Sequence, residues 1–213
     1  MSESEKEIID AIGELLKQGL LYGRGGNMSV RGGNGTFVIT PSQKDYSQLT
    51  VEDFVTLDME GNIIKGEKNP SVEVPLHLEI YKRRKDVQSV FHTHSTYASV
   101  LAVTHTPLPV QIDELTVRLG GEVEVCKYAM TGTEDLARNV ADSLGNKNAV
   151  IMANHGCVTV GKSVAEALEN AILLENAAKV FVLSRIFGTP QPLPEETLSI
   201  EKELFASLQG LPA

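Results

Sequence analysis

The chain has 213 residues, of which 42% are hydrophobic, and its formal net charge at pH 7 is −9. This length and composition are typical of a globular protein, and we expect residues 1–213 to form a single domain. The negative charge and the lack of a basic stripe argue against a nucleic-acid-binding protein. No stretch approaches the roughly 20 apolar residues that a membrane span requires.

Hydrophobic periodicity predicts helices and short strands in the first half of the chain. Apolar side chains recur at helical spacing over residues 4–21, and glycines mark the end of that helix. A glycine-rich loop at 23–29 follows. Short strands with turn signals between them are predicted around 37–40, 54–57 and 63–65.

The second half continues the alternation, beginning with a helix over 74–84. Its basic end, residues 82–85, is expected to be solvated. The remaining predicted elements are a strand at 87–93, a helix capped by Ser95, a helix at 131–144, and strands at 150–152 and 158–160. A long helix is predicted to start with a capping box at 163–166, and its buried stripe is expected at Ala167, Ala171, Leu174, Ala178 and Phe181. A short helix is predicted around 195–208. Residues 110–125 fit neither pattern. Helices mixed with short strands predict one α/β domain in layers, with helices covering a sheet.

Two features indicate a cytoplasmic protein. Residues 1–7 are mostly charged or polar and lack the apolar core of a signal peptide. The two cysteines, Cys126 and Cys157, do not form a spaced pair, so we expect free thiols in a reducing cytoplasm.

Three of the five histidines lie in two short segments, His92-Thr93-His94 and Asn154-His155-Gly156. Alternation along the predicted strand puts His92 and His94 on the same face. His155 ends an apolar run, where a turn could bring a third imidazole to the other two. Three nitrogen ligands with open positions are the pattern of a catalytic zinc site, which predicts one Zn²⁺ per chain. The alternative is a set of histidines hydrogen-bonded in a core or exposed at an edge.

Glu73, in Pro70-Ser71-Val72-Glu73, is the candidate for acid–base chemistry. The alternative is a glutamate stabilised by the dipole at a helix N-terminus. His77 lies four residues later and could face the same way, as a rival ligand. We rank it below the other three because Leu76-His77-Leu78 resembles a packed helix position.

Three small polar loops could gather around an anion. The loop Gly25-Gly26-Asn27-Met28-Ser29 offers backbone N–H groups that no large side chain shields, although glycine clusters are mostly turns. Thr40-Pro41-Ser42-Gln43 and Asn69-Pro70-Ser71 add hydroxyl groups. Convergence of these loops would allow an acidic protein to bind phosphate through local donors.

These motifs together resemble the class II aldolase/adducin family. The match consists of five motifs in the same order and spacing: Gly26-Asn27-x-Ser29, Thr40-Pro41-Ser42, Pro70-Ser71-x-Glu73, His92-x-His94 and Asn154-His155-Gly156. The resemblance implies a three-layer α/β/α sandwich. It also implies a four-fold homotetramer with active sites between neighbouring subunits.

The resemblance further implies roles for individual residues. His92, His94 and His155 would hold Zn²⁺, and Glu73 would be both a labile zinc neighbour and the proton-transfer residue. His77 matches a family histidine that is not a metal ligand. The substrate phosphate would be surrounded by Gly26, Asn27, Ser42, Gln43 and Ser71.

The implied reaction is the reversible aldol cleavage of a small phosphorylated ketose to dihydroxyacetone phosphate and an aldehyde. Alternatives within the family are a sugar-phosphate 4-epimerase, an oxo-acid phosphate decarboxylase and a methylthioribulose-phosphate dehydratase. A non-catalytic scaffold like the adducin head is a further alternative. It is disfavoured because a scaffold has no reason to keep three histidines and Glu73 together.

The chain departs from the family's aldolase pattern in two respects, the residues of the phosphate loops and the segment that supplies a tyrosine. Val72 replaces a second serine before the glutamate, and Gln43 replaces a glycine. The segment that supplies a catalytic tyrosine to the neighbouring subunit is acidic here. We therefore expect Asp113 or Glu114 to take the place of that tyrosine, with a solvent-facing acidic turn as the alternative.

Overall fold

The computed structural model describes residues 3–211, in which eight strands form one sheet. In chain order the strands are β1 (Asn27–Arg31), β2 (Thr36–Ile39), β3 (Val55–Asp58), β4 (Ile63–Lys65), β5 (Ser89–Thr93), β6 (Val125–Cys126), β7 (Ala149–Met152) and β8 (Gly156–Gly161). Their order across the sheet is β4-β3-β2-β1-β5-β8-β7-β6. Neighbouring strands are antiparallel, except that β6 and β7 are parallel.

Helices cover both faces of this sheet. They are α1 (Glu3–Lys17), α2 (Val74–Arg83), α3 (Thr96–Thr104), α4 (Glu134–Leu144), α5 (Val164–Phe187) and α6 (Glu195–Gln209). Helices α2 and α4 share a core with one face, and α1, α3 and α5 share two further clusters with the other. The expected three-layer α/β/α sandwich is therefore confirmed. Within the described residues, we find no helix that is both long and apolar enough to cross a membrane.

The predicted helices and most predicted strands are present, with shifted ends. Helix α5 begins after Ser163, whose hydroxyl accepts a hydrogen bond from the Glu166 N–H at 3.1 Å. Its predicted buried stripe is confirmed at Ala167, Ala171, Leu174, Ala178 and Phe181. Residues 110–125, which fitted neither pattern, contain a π-helical turn at Leu115–Leu119. Cys126 and Cys157 are free and buried, while the cytoplasmic location stays a prediction.

The prediction that residues 23–29 form only a loop is wrong for its second half. Asn27 starts β1, which pairs with β2 and β5 near the middle of the sheet. Met28 and Val30 point into the core beneath α1. Asn27 and Ser29 alternate to the other face, where both are buried. When the buried face of a strand carries polar side chains, the sequence pattern predicts a loop instead of a strand.

The basic run at the end of α2 is not uniformly solvated, because Arg84 is only 6% exposed. Its guanidinium group donates to the carbonyl oxygens of Gly145 and Lys147, at 2.9 and 2.8 Å, and to both carboxylate oxygens of Asp86. Arg84 therefore joins the end of α2 to the turn between α4 and β7.

We expect Arg84→Gln to lower the free energy of unfolding by about 2–4 kcal/mol, because it leaves buried carbonyl groups and a carboxylate without their charged donor. Urea denaturation measures this change. The control is Arg83→Gln at an exposed position of the same helix, where an ion pair contributes about 1 kcal/mol or less. Equal midpoints for the two variants would contradict the role of Arg84.

Candidate metal centre

The structure brings the three predicted histidines together at the end of β5 and the turn between β7 and β8. One ligand atom from each of His92, His94 and His155 lies within 4.8 Å of the others. The Nε2 atoms of His92 and His94 are 2.9 Å apart. The Glu73 carboxylate lies beside them, with Oε2 3.2 Å from Nε2 of His92 and Oε1 3.9 Å from Nδ1 of His155. His92 and Glu73 are buried, whereas His94 and His155 are partly exposed.

The turn that carries His155 has an unusual backbone. Asn154 adopts a left-handed conformation with φ of 56°, which is uncommon for a residue other than glycine. Its N–H donates to the Ala102 carbonyl oxygen at 3.0 Å, and its Oδ1 lies 2.7 Å from Nε2 of His105. His105, at the C-terminus of α3, therefore helps to hold the turn in place.

Glycine is required at two positions beside the histidines. A Cβ atom on Gly156 would lie 2.5 Å from the Thr93 carbonyl oxygen and 2.8 Å from Cδ2 of His94. A Cβ atom on Gly26, whose φ is +86°, would lie 2.5 Å from the His92 carbonyl oxygen. Any side chain at these positions would displace the backbone that carries the imidazoles.

The residues present fit a divalent metal ion. Nδ1 of His92 lies 2.9 Å from the Cys157 carbonyl oxygen and donates to it, so Nε2 presents a lone pair to the cluster. Burial and the neighbouring His92 lower the pKa of His94 and of His155 to about 4, so both imidazoles are neutral near pH 7. Glu73 Oε1 is buried and has no hydrogen-bond partner among the described residues. A cation would supply the partner that this oxygen lacks.

His77 is not part of this cluster. It is fully buried, and burial lowers its pKa to about 3, so the ring is neutral. Its Nε2 lies 2.5 Å from Asn27 Oδ1, and its Nδ1 lies 2.6 Å from the Ser29 hydroxyl. Both ring nitrogens are therefore occupied within the protein.

Asn27 and Ser71 make contacts within the protein that the sequence did not predict. The Asn27 side chain is buried and donates from Nδ2 to Glu73 Oε2 at 2.7 Å. The Ser71 hydroxyl accepts from the Glu73 N–H at 3.2 Å. The spacings Asn27-x-Ser29 and Glu73-x-x-x-His77 are visible in the sequence. Only the packing of β1 against α2 shows that the two sets of residues are in contact.

The three polar loops lie next to one another beside Glu73. The Ser42 N–H donates to the Asn69 carbonyl oxygen and the Ser71 N–H donates to the Thr40 carbonyl oxygen, at 2.9 and 3.2 Å. Gly26 is joined to this region by the Tyr46 hydroxyl, which donates to its carbonyl oxygen at 2.5 Å. Gln43 is exposed and left-handed, with φ of 61°. These loops form a polar rim next to the histidine cluster.

Asp113 and Glu114 are exposed. They lie near Glu201 of α6, and the burial of Glu201 together with the charges of these two residues raises the pKa of the Glu201 carboxyl. A role for either residue in a neighbouring subunit stays a prediction.

Comparison with known proteins identifies similar chains along nearly the whole length. A family model described as the class II aldolase and adducin N-terminal domain matches residues 6–182. The 5-deoxy-D-ribulose 1-phosphate aldolase of Bacillus thuringiensis serovar kurstaki is 33% identical, over 92% of each chain. The 3-oxo-tetronate 4-phosphate decarboxylase of Haemophilus influenzae is 32% identical, over 84% of this chain and 87% of that protein. A solved structure of an L-fuculose 1-phosphate aldolase has a TM-score of 0.92 and 35% identity, over 96% of this chain and 97% of that chain.

We expect the purified protein to contain one divalent metal ion per chain and His94→Ala to contain much less, because the variant loses one of three imidazole ligands. Elemental analysis measures both. His105→Gln is the control, since it changes a histidine outside the cluster and keeps a donor for Asn154. Equal metal content in the wild type and His94→Ala would exclude His94 as a ligand.

Proposed function

This chain belongs to the class II aldolase and adducin family, and from that membership we propose that it is a zinc-dependent lyase acting on a small phosphorylated ketose. The reaction is a reversible aldol cleavage to dihydroxyacetone phosphate and an aldehyde. Relatives that align with most of the chain are named aldolases, so the chain is an aldolase-type enzyme rather than an adducin-like scaffold. The observation that carries the proposal is the buried Glu73 carboxylate, with one free oxygen beside three imidazoles.

We propose that His92, His94 and His155 hold one Zn²⁺, with Glu73 as an exchangeable neighbour. When bound, the ion supplies Lewis acidity for the charge that develops on the substrate carbonyl oxygen. Neutral imidazoles and the Cys157 carbonyl that orients His92 support this ligand set.

In this proposal Glu73 carries the proton. Burial alone would raise the pKa of its carboxyl, but the neighbouring His92 and His155 and the Asn27 hydrogen bond lower it below the usual value. The group is therefore a carboxylate near neutral pH and can act as a base. Because Oε2 is held by Asn27, Oε1 is the atom that exchanges a proton with the reacting carbon.

We propose that the rim formed by the three polar loops binds the substrate phosphate, through Gly26, Asn27, Ser42, Gln43 and Ser71. The support is their adjacency to one another and to Glu73. Asn27 would contribute from its main chain, since its amide side chain is engaged by Glu73 and His77. Val72, which is 62% exposed, presents an apolar surface where the family's aldolase has a hydroxyl group.

Decarboxylation of an oxo-acid phosphate is the second candidate, because one relative is named as such a decarboxylase. Epimerisation and dehydration are the remaining alternatives. Incubation of the zinc-loaded protein with 5-deoxyribulose 1-phosphate, L-fuculose 1-phosphate and 3-oxo-tetronate 4-phosphate separates them. We expect dihydroxyacetone phosphate from a ketose phosphate. Carbon dioxide from the oxo-acid without dihydroxyacetone phosphate from either ketose would establish a decarboxylase instead.

We expect Glu73→Gln to keep the fold and most of the metal but to lower kcat by about 10²–10⁴-fold, because the amide has the same shape and cannot accept the proton. Steady-state kinetics and elemental analysis measure the two effects. The matched control is Glu79→Gln, on the same helix and bonded to Arg83 outside the site. A near-normal kcat in Glu73→Gln would make Glu73 structural.

We propose a homotetramer, in keeping with the family resemblance and with apolar side chains that the single chain leaves in water. Ile186 and Phe187, at the end of α5, are 74% and 90% exposed. Light scattering at micromolar concentration should report four chains. The double variant Ile186→Glu/Phe187→Glu should report fewer, because it places charges on this apolar surface. A monomeric wild type would refute the assembly.

In such an assembly, we propose that Asp113 or Glu114 reaches a neighbouring subunit's site, where its carboxylate removes the hydroxyl proton as the aldehyde leaves and its carboxyl returns a proton to that oxygen in the reverse addition. A carboxyl group donates only in its protonated form, so Asp113→Asn or Glu114→Gln should change the dependence of rate on pH. The check is a pH–rate profile of each variant. If both variants keep the wild-type profile and rate, the proton comes from another group.

A further inference from the structure

A row of buried polar side chains runs between β1 and α2, away from the metal centre. Its members alternate between helix and strand in the order Glu73, Asn27, His77, Ser29, Tyr81. Successive polar atoms are 2.7, 2.5, 2.6 and 2.7 Å apart. All five residues are at most 4% exposed. Of these five residues, only Glu73 takes part directly in the proposed proton transfer.

The spacing of these residues explains why the row forms. Glu73, which directly precedes α2, and His77 and Tyr81 within the helix recur every four residues, so they lie on one face about 6 Å apart. Asn27 and Ser29 are two residues apart on β1, which separates them by about 6.6 Å on one face. The two repeats nearly match, so each strand side chain fits between two helix side chains. The row is thus a consequence of packing this helix along this strand.

Hydrogen-bonding rules give the row one direction. The Glu73 carboxylate only accepts, so Asn27 faces it with Nδ2, and Asn27 Oδ1 accepts from Nε2–H of His77. The neutral His77 ring has no proton on Nδ1, which therefore accepts from the Ser29 hydroxyl. Ser29 has a single proton, so its oxygen accepts from the Tyr81 hydroxyl. Every donor points towards Glu73.

We propose that His77 is a positioning residue that acts through Asn27 to hold Glu73 at the metal centre. This inference rests on the proposed function, because it assigns the row to the proton-transfer residue. Without the His77 N–H, the Asn27 amide can rotate and release Glu73 Oε2. The carboxylate then no longer has a set position, with Oε2 beside His92 and Oε1 beside His155. Ser29 and Tyr81 keep His77 in the required tautomer.

The test compares His77→Leu, which removes both ring contacts, with His77→Gln, whose amide can donate to Asn27 and accept from Ser29. Ile80→Val is the control, since Ile80 is fully buried in the same helix and outside the row. The measurements are zinc affinity by competition with a chelating dye, and kcat and KM with 5-deoxyribulose 1-phosphate as probe. Long-range proton–nitrogen NMR of the wild type identifies the protonated nitrogen of His77.

We expect NMR to show a proton on Nε2 and none on Nδ1. His77→Leu should lose about 10- to 100-fold in kcat or in zinc affinity, the range found when partners of metal-site residues are removed. His77→Gln should recover part of that loss, and Ile80→Val should keep both values.

Two results overturn the proposal: a proton on Nδ1, which reverses the row, or His77→Leu values equal to those of Ile80→Val at comparable folded fraction. A wild type that neither binds zinc nor cleaves the probe means that the proposed function has failed. In that case the NMR measurement of which His77 nitrogen carries the proton still determines the direction of the hydrogen bonds in the row.

Discussion

The architecture of the site depends on how the protein keeps the Glu73 carboxylate in a buried position. A charge removed from water costs several kcal/mol unless hydrogen bonds or opposite charges compensate. Asn27 donates to Oε2, which also lies beside His92, and Oε1 faces His155 at 3.9 Å. The second oxygen has no hydrogen-bond partner within residues 3–211. The fold thus holds a reactive group whose requirements are met fully only when a cation or a proton is present.

The same requirement determines how the sheet is built around β1. One face of this strand is apolar and packs beneath α1 through Met28 and Val30. The polar side chains on the other face form hydrogen bonds with Glu73 and with side chains of α2, and not with water. Asn27 also lies opposite His92 in the register of β1 and β5. A single strand therefore joins the carboxylate on the helix to the histidine on the next strand.

The sequence predicted those parts of the fold and site that depend on local pattern. The stripe on α5 and the alternation of His92 and His94 both follow from a repeat within one element. The strand at Asn27 could not be predicted in this way, because the Asn27 side chain is satisfied by Glu73, 46 residues further along the chain. Arg84 was assigned to solvent for the same reason, since its carbonyl partners are 61 and 63 residues away. The position of Ser29 and Tyr81 in the polar row requires the register of β1 against α2, which no local pattern encodes.

The strand order also has a consequence for the time at which the centre can form. His92 is braced by a carbonyl group 65 residues later in the chain, on β8. The third imidazole precedes that same strand. Contacts of such long sequence separation form late in folding, after the loop between them has closed. A nascent chain that ends before His155 therefore has two of the three imidazoles and no brace for the first. The complete set of three imidazoles is therefore assembled only when the β7–β8 hairpin joins the sheet.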